Sequence, residues 1–323
     1  MLQAFRALLG LSDDFATRTD DVLTLRSDAL LVRWTTSGTV RVSGGAFERL
    51  FCIFWVFGSD GRLTRWEQFE VEDDAKALAR FDEFAAESSA TPPRVAERPE
   101  RRRVRANAAT ALVARVDGVL AARDSDALAA LLADEFDVLD HTTGVVYDGQ
   151  GYLTTFRVLL KAEHPRFARE TLASLGESLA LCRESTSASG FVGRTFDVGA
   201  YEKVEIALVE VDTQGRLRRR ELFAASRLGD AVVRLYERYA DVVPDGPARA
   251  RAAATARSVA AVPGPMSLDG IGKIIGPDVE FVDHRPVGLP SSRGREAYLR
   301  LLHAFLDLVD DAANRVDDVL GLR

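Results

Sequence analysis

The chain has 323 residues, of which 47% are hydrophobic and 28% charged, and its formal net charge is −7. The length suits about two globular domains of roughly 100–200 residues. The acidic balance argues against a general nucleic-acid binder. No apolar run reaches the roughly 20 residues of a membrane span. Two cysteines in apolar, strand-like surroundings, Cys52 and Cys182, favour free thiols and predict a cytoplasmic protein without a disulfide framework.

The first 88 residues predict strands followed by a helix. Residues 2–9 read as the end of a helix, and 75–86 as a complete one. The expected strands are 22–26, 30–36, 47–57 and 63–71. Within the third of these the apolar residues do not alternate with polar ones, which indicates that both faces are covered. Asp60-Gly61 lies between the last two and predicts a hairpin.

A linker is expected at residues 89–106, where two adjacent prolines exclude a continuing helix. A second unit then runs from 107 to 243. Its predicted elements are helices at 108–122 and from Asp124 to about Asp134, a strand at 136–140, a helix at 152–161, strands at 171–176, 179–185, 204–211 and 217–223, and a helix at 229–239.

A short linker at residues 244–248, which contains two prolines, separates this unit from a third at 249–323. The third unit predicts helices at 249–261, 266–275 and 296–308. A strand at 279–283 and a loop at 286–294 complete it.

Two internal repeats organise the chain. The strand G-R-L-T-R-W-E-Q-F from Gly61 returns as G-R-L-R-R-R-E-L-F from Gly215, and each is followed by a helix. The last twenty residues match residues 7–26 at thirteen positions without a gap. The repeats therefore predict one complete unit (107–243) between the back half of one (1–88) and the front half of another (249–323). We expect either a piece of a longer repeat protein or two half-units that dock on each other, within one chain or between two.

The order of elements in the middle unit resembles the SnoaL-like branch of the nuclear-transport-factor-2-like superfamily. The resemblance is carried by F-D-V-L-D-H-T-T-G (136–144), G-Y-L-T-T-F-R-V-L-L (151–160) and the final hairpin. It implies an α+β fold in which a cone-shaped, curved antiparallel sheet packs on helices, here tandemly repeated. The hairpin sequence, a G-R-L turn followed by a Phe and then a helix, is also similar to tandem modules appended to large bacterial ATP-binding regulators. That similarity implies an accessory or sensory role.

The pair Asp140-His141 recurs as Asp283-His284. The resemblance implies acids and bases on the pocket wall, so Asp140 or His141 is a candidate general base. Because neighbouring residues on a strand point to opposite faces, only one of each pair can face a pocket. The alternative is a polar pair that caps the following loop.

Arg65 with Glu67, and Arg219 with Glu221, share the strand face of an apolar row. They are either ion pairs at a covered sheet edge or the polar end of a ligand cavity. Candidate aromatic lining residues are Trp55, Trp66, Tyr152, Phe156 and Tyr298, with plain core packing as the alternative. The opposite strand face, with Arg216, Arg218 and Arg220, is expected to be solvated, with contact to an acidic partner as the alternative.

No metal-ligand spacing, nucleophile elbow or phosphate-binding loop occurs, so the sequence predicts no metal and no cofactor. The favoured function is a non-catalytic accessory module that binds a small apolar molecule or mediates assembly within a larger bacterial regulatory protein. One alternative is a SnoaL-like cyclase, isomerase or hydrolase that uses a pocket His or Asp. The other is a pure oligomerisation element. Neither nucleic acid nor membrane is expected as a partner.

Overall fold

A computed structural model describes residues 14–39, 46–87, 102–192, 197–261, 264–265, 268–286, 289–306, 312–314 and 318–319. The helix expected at residues 2–9 lies outside this set. Within it, no helix has the length and apolar character needed to cross a membrane. The domain boundaries expected from the sequence stay predictions.

The N-terminal part consists of four strands and a helix: β1 (Asp14–Leu25), β2 (Ala29–Thr39), β3 (Ala46–Phe57), β4 (Leu63–Glu70) and α1 (Asp74–Glu87). The middle part begins with α2 (Ala108–Ala122), α3 (Ser125–Ala129), β5 (Leu132–Asp140), β6 (Val145–Asp148) and α4 (Gly149–Leu160). It continues with β7 (Arg166–Leu175), β8 (Leu179–Ala188), β9 (Phe191–Val192), β10 (Asp197–Val198), β11 (Tyr201–Val211), β12 (Leu217–Ala224) and α5 (Leu228–Val242).

The C-terminal part starts with α6 (Pro247–Ala260), β13 (Gly264–Pro265), α7 (Leu268–Ile274) and β14 (Ile275–Asp283). It ends with β15 (Ser292–Arg293), α8 (Arg295–Leu306), β16 (Ala312–Asn314) and β17 (Asp318–Val319).

The middle unit is built on a six-stranded sheet in the order β6-β5-β12-β11-β8-β7, in which β12 and β5 are parallel and the other pairs antiparallel. One face, here called the front face, packs against α2 and α4. The other, the back face, packs against α5. Helix α2 begins with a capping box between Asn107 and Thr110, which satisfies two backbone N–H groups at its start.

The two ends of the chain join into a second sheet with the same design. Strand β4 pairs in parallel with β14, and the order β15-β14-β4-β3-β2-β1 repeats that of the middle unit. We call this assembly the split unit. Of the two forms of docking expected from the sequence, the structure has the one within a single chain.

Three short strands extend the split sheet beyond β1. Strand β16 runs parallel to β1 and pairs Phe15 with Ala312. That offset of 297 residues is the one that relates the two similar terminal sequences. At β16 the C-terminal copy of the repeat therefore lies beside the N-terminal copy in the same register, whereas at β17 the pairing with β1 is shifted by one residue.

The two units share a hydrophobic core. The back face of the middle sheet and helix α5 pack in one cluster with residues of β1 to β4. Tyr236 on α5 donates its hydroxyl to the carbonyl of Arg26 at 3.0 Å. Arg102 contacts Asp21 on β1 at 2.5 Å and Glu170 on β7 at 3.2 Å. Both back faces are therefore covered.

Three local predictions were wrong. The helix from Asp124 ends at Ala129 instead of Asp134, although Asp124 caps it as expected. It ends early because Leu132 pairs with Leu217 of β12, so the chain is already in a strand. The sequence also missed β6 and placed β15 within a loop, because both strands are short and lie at sheet edges.

Alanine at Gly61 and at Gly215 forms a matched pair of tests. Both glycines have a left-handed φ, +73° and +70°. A Cβ at Gly61 would lie 2.5 Å from the backbone of Ala254 on α6, whereas none of the described residues lies within 4 Å at Gly215. We expect Gly215→Ala to cost about 1–2 kcal/mol of unfolding free energy from backbone strain alone.

Gly61→Ala should cost at least about 1 kcal/mol more, because α6 must move to admit the methyl group. Urea denaturation followed by circular dichroism measures both losses. Equal losses would contradict the contact between α6 and the β3–β4 hairpin.

Candidate functional site

A buried carboxylate joins strand, loop and helix on the back face of the middle unit. Glu221 on β12 is fully buried. Its Oε2 lies 2.8 Å from Nε2 of His141, just after β5, and Arg234 on α5 donates two hydrogen bonds to it at 2.8 and 3.0 Å. The His141 ring stacks on Phe223, with centroids 4.2 Å apart. Two residues that the sequence assigned to separate groups, His141 and Glu221, thus form one cluster.

The split unit repeats this cluster across its two halves. Nε2 of His284 lies 2.7 Å from Oε2 of Glu67, and Arg80 donates to Glu67 at 3.1 Å. His284 stacks on Phe69 at 4.3 Å. Since Glu67 belongs to the N-terminal half and His284 to the C-terminal half, the repeated cluster also ties the halves together.

The two aspartates that precede these histidines fix the loops after their strands. Oδ1 of Asp140 accepts hydrogen bonds from the backbone N–H groups of Thr142 and Thr143. Burial raises the pKa of Asp140, but these hydrogen bonds outweigh it, and the net pKa is lowered. Asp283 accepts from Arg285 and from the backbone N–H of Leu289. These hydrogen bonds agree with the alternative expected from the sequence, in which the polar pair caps the loop after its strand.

The two arginines on the same strands behave differently in the two units. Arg219 pairs with Asp137 at 3.0 Å. Arg65 contacts both Glu67 at 3.1 Å and Glu280 at 2.6 Å. The neighbouring ion pair expected from the sequence therefore occurs in the split unit, whereas Arg219 turns to β5.

The lowered pKa of Glu221 predicts that the unfolding free energy of the chain falls in acid. Burial raises the pKa of Glu221, but Arg234 and His141 lower it by more, so the net pKa lies below the ordinary value of 4.5. A carboxyl with a lowered folded pKa stabilises the fold above its unfolded pKa, and this contribution is lost as the pH falls. We expect the unfolding free energy of Glu221→Gln to fall less than that of the unaltered chain between about pH 5 and pH 3.

Urea denaturation at several pH values measures the effect, with the exposed Glu135→Gln as control. Parallel profiles for Glu221→Gln and the unaltered chain would show that the cluster does not hold this carboxylate ionised.

An ion network fills the front face of the middle unit. Arg220 on β12 pairs with Glu184 and donates to the Tyr152 hydroxyl at 2.9 Å, while Arg169 donates to Glu184 at 2.9 Å. The prediction of a solvated face was wrong for Arg220, whose side chain is only 11% exposed. The cavity beside this network measures about 20 Å³, which is room for about one water molecule.

The front face of the split unit carries aromatic rings instead. Trp66 lies 5.4 Å from Trp55 and 5.5 Å from Tyr298 on α8, measured between ring centroids. Two further rings complete the cluster. Trp34 lies 5.6 Å from Trp55, and Phe281 lies 5.4 Å from Tyr298. Among the residues that the structure describes, the buried indole N–H groups of Trp55 and Trp66 have no hydrogen-bond acceptor.

The strand registers show that these two cores occupy equivalent positions. Trp55 pairs with Trp66 as Val209 pairs with Arg220. Trp34 stands on β2 where Glu184 stands on β8. One scaffold thus carries a charged core in one unit and an aromatic core in the other.

The predicted site residues consequently divide between two faces. Trp55 and Tyr298 lie in the aromatic core, while Tyr152 and Phe156 lie in the front core of the middle unit. The members on the back face or in the adjoining loops are Arg65, Glu67, Asp140, His141, Arg219, Glu221, Asp283 and His284.

Four residues of these clusters were not predicted from the sequence: Trp34, Phe281, Arg80 and Arg234. A signal for the two arginines was present, since each follows its buried glutamate by thirteen residues in both copies of the repeat.

No protein-family model matches the chain, and no curated protein matches it in sequence. Solved structures match over 35–40% of the chain. The epoxide hydrolase/cyclase-like enzyme SalBIII is 11% identical, over 35% of this chain and 88% of its own, with a TM-score of 0.31. RV0760c from Mycobacterium tuberculosis, in complex with estradiol-17β-hemisuccinate, is 16% identical over 36% of this chain and 94% of its own, with a TM-score of 0.32. A computationally designed 17-OHP binder is 15% identical over 37% of this chain and 92% of its own, with a TM-score of 0.30.

The chain's own topology defines its class. Each unit has helices first, two strands of which the second is short, a helix, four further antiparallel strands and a last helix, when the C-terminal half of the split unit is taken before its N-terminal half. In the order of its elements each unit is similar to SnoaL-like domains, and the chain carries this α+β architecture in tandem.

Proposed function

We propose that the split unit binds a small, flat, apolar molecule that carries a hydrogen-bond acceptor, and that the middle unit serves as its scaffold. The observation that carries this proposal is the pair of buried indole N–H groups of Trp55 and Trp66 without an acceptor. Leaving a buried donor unsatisfied costs about 1–3 kcal/mol. A bound carbonyl or ether oxygen would remove that cost, and the surrounding rings would stack on an apolar body.

The middle unit also holds a buried donor without an acceptor among the described residues, Nε of Arg220, but charged groups surround it. Its equivalent positions hold the pairs between Arg220, Glu184 and Arg169, and the remaining cavity of about 20 Å³ is far below the roughly 300 Å³ of a small-molecule pocket. Enlarging this cavity to admit a ligand would separate charges that are mostly buried, at a cost of several kcal/mol. We therefore assign ligand binding to one unit only.

The role we propose is non-catalytic. The aromatic core includes the Tyr298 hydroxyl, and burial raises the pKa of Tyr298, so at neutral pH it can donate a hydrogen bond but is no base. His141 and His284, the candidate bases, lie against Glu221 and Glu67 on the back faces. These contacts favour a binding role over catalysis by a cyclase or hydrolase. That the module belongs to a larger bacterial regulatory protein is proposed from the resemblance of its hairpin alone.

We place that role in the cytoplasm. The support comes from the two buried free cysteines, since burial raises the pKa of both thiols to about 12. Such thiols are unreactive and are typical of proteins in a reducing compartment.

Fluorenone and fluorene test the proposal, because they share a flat tricyclic body and only the first carries a carbonyl. The three tryptophans of the chain, Trp34, Trp55 and Trp66, all lie in the aromatic core, so their fluorescence reports on this core alone. We expect fluorenone to quench it with a dissociation constant about tenfold below that of fluorene, the worth of one hydrogen bond of about 1.4 kcal/mol.

Trp55→Phe retains a ring but removes one N–H group, and should reduce the preference for fluorenone. Val209→Ala, at the equivalent position of the middle unit, should leave it unchanged. Equal binding of both probes, or a preference that Trp55→Phe and Trp66→Phe leave intact, would contradict the proposal.

A further inference from the structure

The loop after β14 turns an arginine side chain toward the front face of the split unit. Only 7% of the Arg285 side chain is exposed. Its guanidinium donates to the carboxylate of Asp283 at 2.7 and 2.8 Å and to Oε1 of Gln68 at 2.9 Å. It also lies over the ring of Phe51, 5.0 Å from the ring centroid. These contacts hold the guanidinium in one orientation.

Arg285 and Gln68 adjoin the aromatic core. Gln68 follows Trp66 by two residues on β4, so both side chains point to the front face, about 7 Å apart along the strand. Phe51, which the guanidinium covers, pairs with Trp34 in the register of β3 and β2. A molecule that stacks on the rings of the aromatic core and extends along β4 would therefore meet Gln68 and Arg285.

Two donor groups at this position are free to bind a ligand. Asp283 and Gln68 accept hydrogen bonds from Nε and Nη2 of Arg285, whereas Nη1 donates to none of the described residues. Since Oε1 of Gln68 accepts from Arg285, its Nε2 is directed away from the guanidinium, and it too has no acceptor in the described part of the chain. Arginine donates charge-assisted hydrogen bonds to carboxylates, and these are roughly twice as strong as neutral ones.

The middle unit has neither donor at the equivalent positions. Leu222 stands where the split unit has Gln68, and Thr142 where it has Arg285. In the middle unit Asp140 fixes the same loop through backbone N–H groups alone. A loop of this kind therefore does not need the arginine, and the two donors are particular to the unit that has the aromatic core.

We infer that the ligand of the split unit carries a carboxylate, which accepts hydrogen bonds from Nη1 of Arg285 and Nε2 of Gln68. The inference rests on the proposed function, because it assigns a second polar group to the molecule that the aromatic core binds. Asp283 already balances the charge of Arg285, so directed hydrogen bonds and not net charge select the carboxylate. The ligand class is then a flat, apolar carboxylic acid whose ring system also carries an acceptor oxygen.

Fluorenone-2-carboxylate and its methyl ester test this inference, because they share a ring system and differ in charge. Quenching of the tryptophan fluorescence at neutral pH gives a dissociation constant for each. We expect that of the carboxylate to be about fivefold lower, because only the carboxylate accepts charge-assisted hydrogen bonds. Equal dissociation constants in the unaltered chain would overturn the inference.

Gln68→Glu places a like charge beside the bound carboxylate with almost no change in size. It should raise the dissociation constant of fluorenone-2-carboxylate about tenfold and leave that of uncharged fluorenone within about twofold. Gln150→Glu, the same exchange at an exposed position of the middle unit, is the matched control and should change neither.

Gln68→Leu removes the amide without adding a charge and gives β4 the residue type that β12 has at Leu222. It should reduce the preference for the carboxylate over the ester. Circular dichroism verifies that each variant is folded. If Gln68→Glu did not fold, Gln68→Leu and the two probes on the unaltered chain would decide, and a preference that Gln68→Leu left intact would overturn the role of Gln68.

The outcomes separate this inference from the proposed function. If fluorenone bound as proposed but the carboxylate and the ester bound equally, the carboxylate site would be refuted and the aromatic site would stand. If the carboxylate were preferred but fluorenone and fluorene bound equally, the role of the indole N–H groups alone would be refuted. A chain whose fluorescence none of the probes quenched would refute both.

Discussion

Replacing Glu184 by alanine is expected to lower the free energy of unfolding by about 3–5 kcal/mol, the usual cost of leaving buried charges without their partner. Glu184 contacts Arg220 and Arg169, whose side chains are 11% and 8% exposed. Burial raises the pKa of Glu184, but the two arginines lower it by more, so the net pKa is lowered and the carboxylate is ionised at neutral pH. Its loss leaves two guanidinium groups poorly compensated in the front core of the middle unit.

Urea denaturation followed by circular dichroism measures this loss. The control is Glu135→Ala, which removes an exposed carboxylate from the same unit and should change the unfolding free energy by less than about 0.5 kcal/mol. The double variant Glu184→Leu/Arg220→Leu should be less damaging than Glu184→Ala, since an apolar pair can replace a buried ion pair. A loss below about 1 kcal/mol for Glu184→Ala would show that the network is solvated.

Glu67→Leu and Glu221→Leu should have different effects on the binding of fluorenone. Both glutamates are buried between a histidine and an arginine, and either substitution should cost about 3–5 kcal/mol. Of the two glutamates, only Glu67 contacts a residue of the other half of the split unit, His284. We therefore expect Glu67→Leu to abolish fluorenone quenching at concentrations that saturate the unaltered chain.

Glu221→Leu, the matched control, should retain quenching at temperatures where it remains folded. Fluorescence titrations of both variants, with circular dichroism to verify folding, measure the difference. If both variants bound fluorenone equally well, the cluster around Glu67 would have no part in holding the aromatic core together.

Local features of the fold were predictable because they depend on neighbours in sequence. Asp60-Gly61 and Asp212 with Gly215 form the turns of the two hairpins. The repeated G-R-L segments occupy equivalent strands, because the two sheets have the same order. The comparison of these repeats also predicted that the chain holds one whole unit and two halves.

The interior of the sheets was less predictable. Strand parity correctly placed Arg220 and Glu221 on opposite faces of β12, but it does not tell which face packs against α2 and α4. Glu221 lies in an apolar row because the back face is covered by α5 and by the other unit. The partner of Arg220, Glu184, lies 36 residues away on β8, and nothing local marks the two as a pair.

The assembly of the aromatic core from both ends of the chain is tested most directly by nuclear Overhauser effects at Trp66. Its ring centroid lies 5.5 Å from that of Tyr298 and 6.3 Å from that of Phe281. Cross-peaks between ring protons of Trp66 and those of Tyr298 are predicted in the folded protein. If Trp66 showed cross-peaks only to residues 14–87, the two halves would not form a common core.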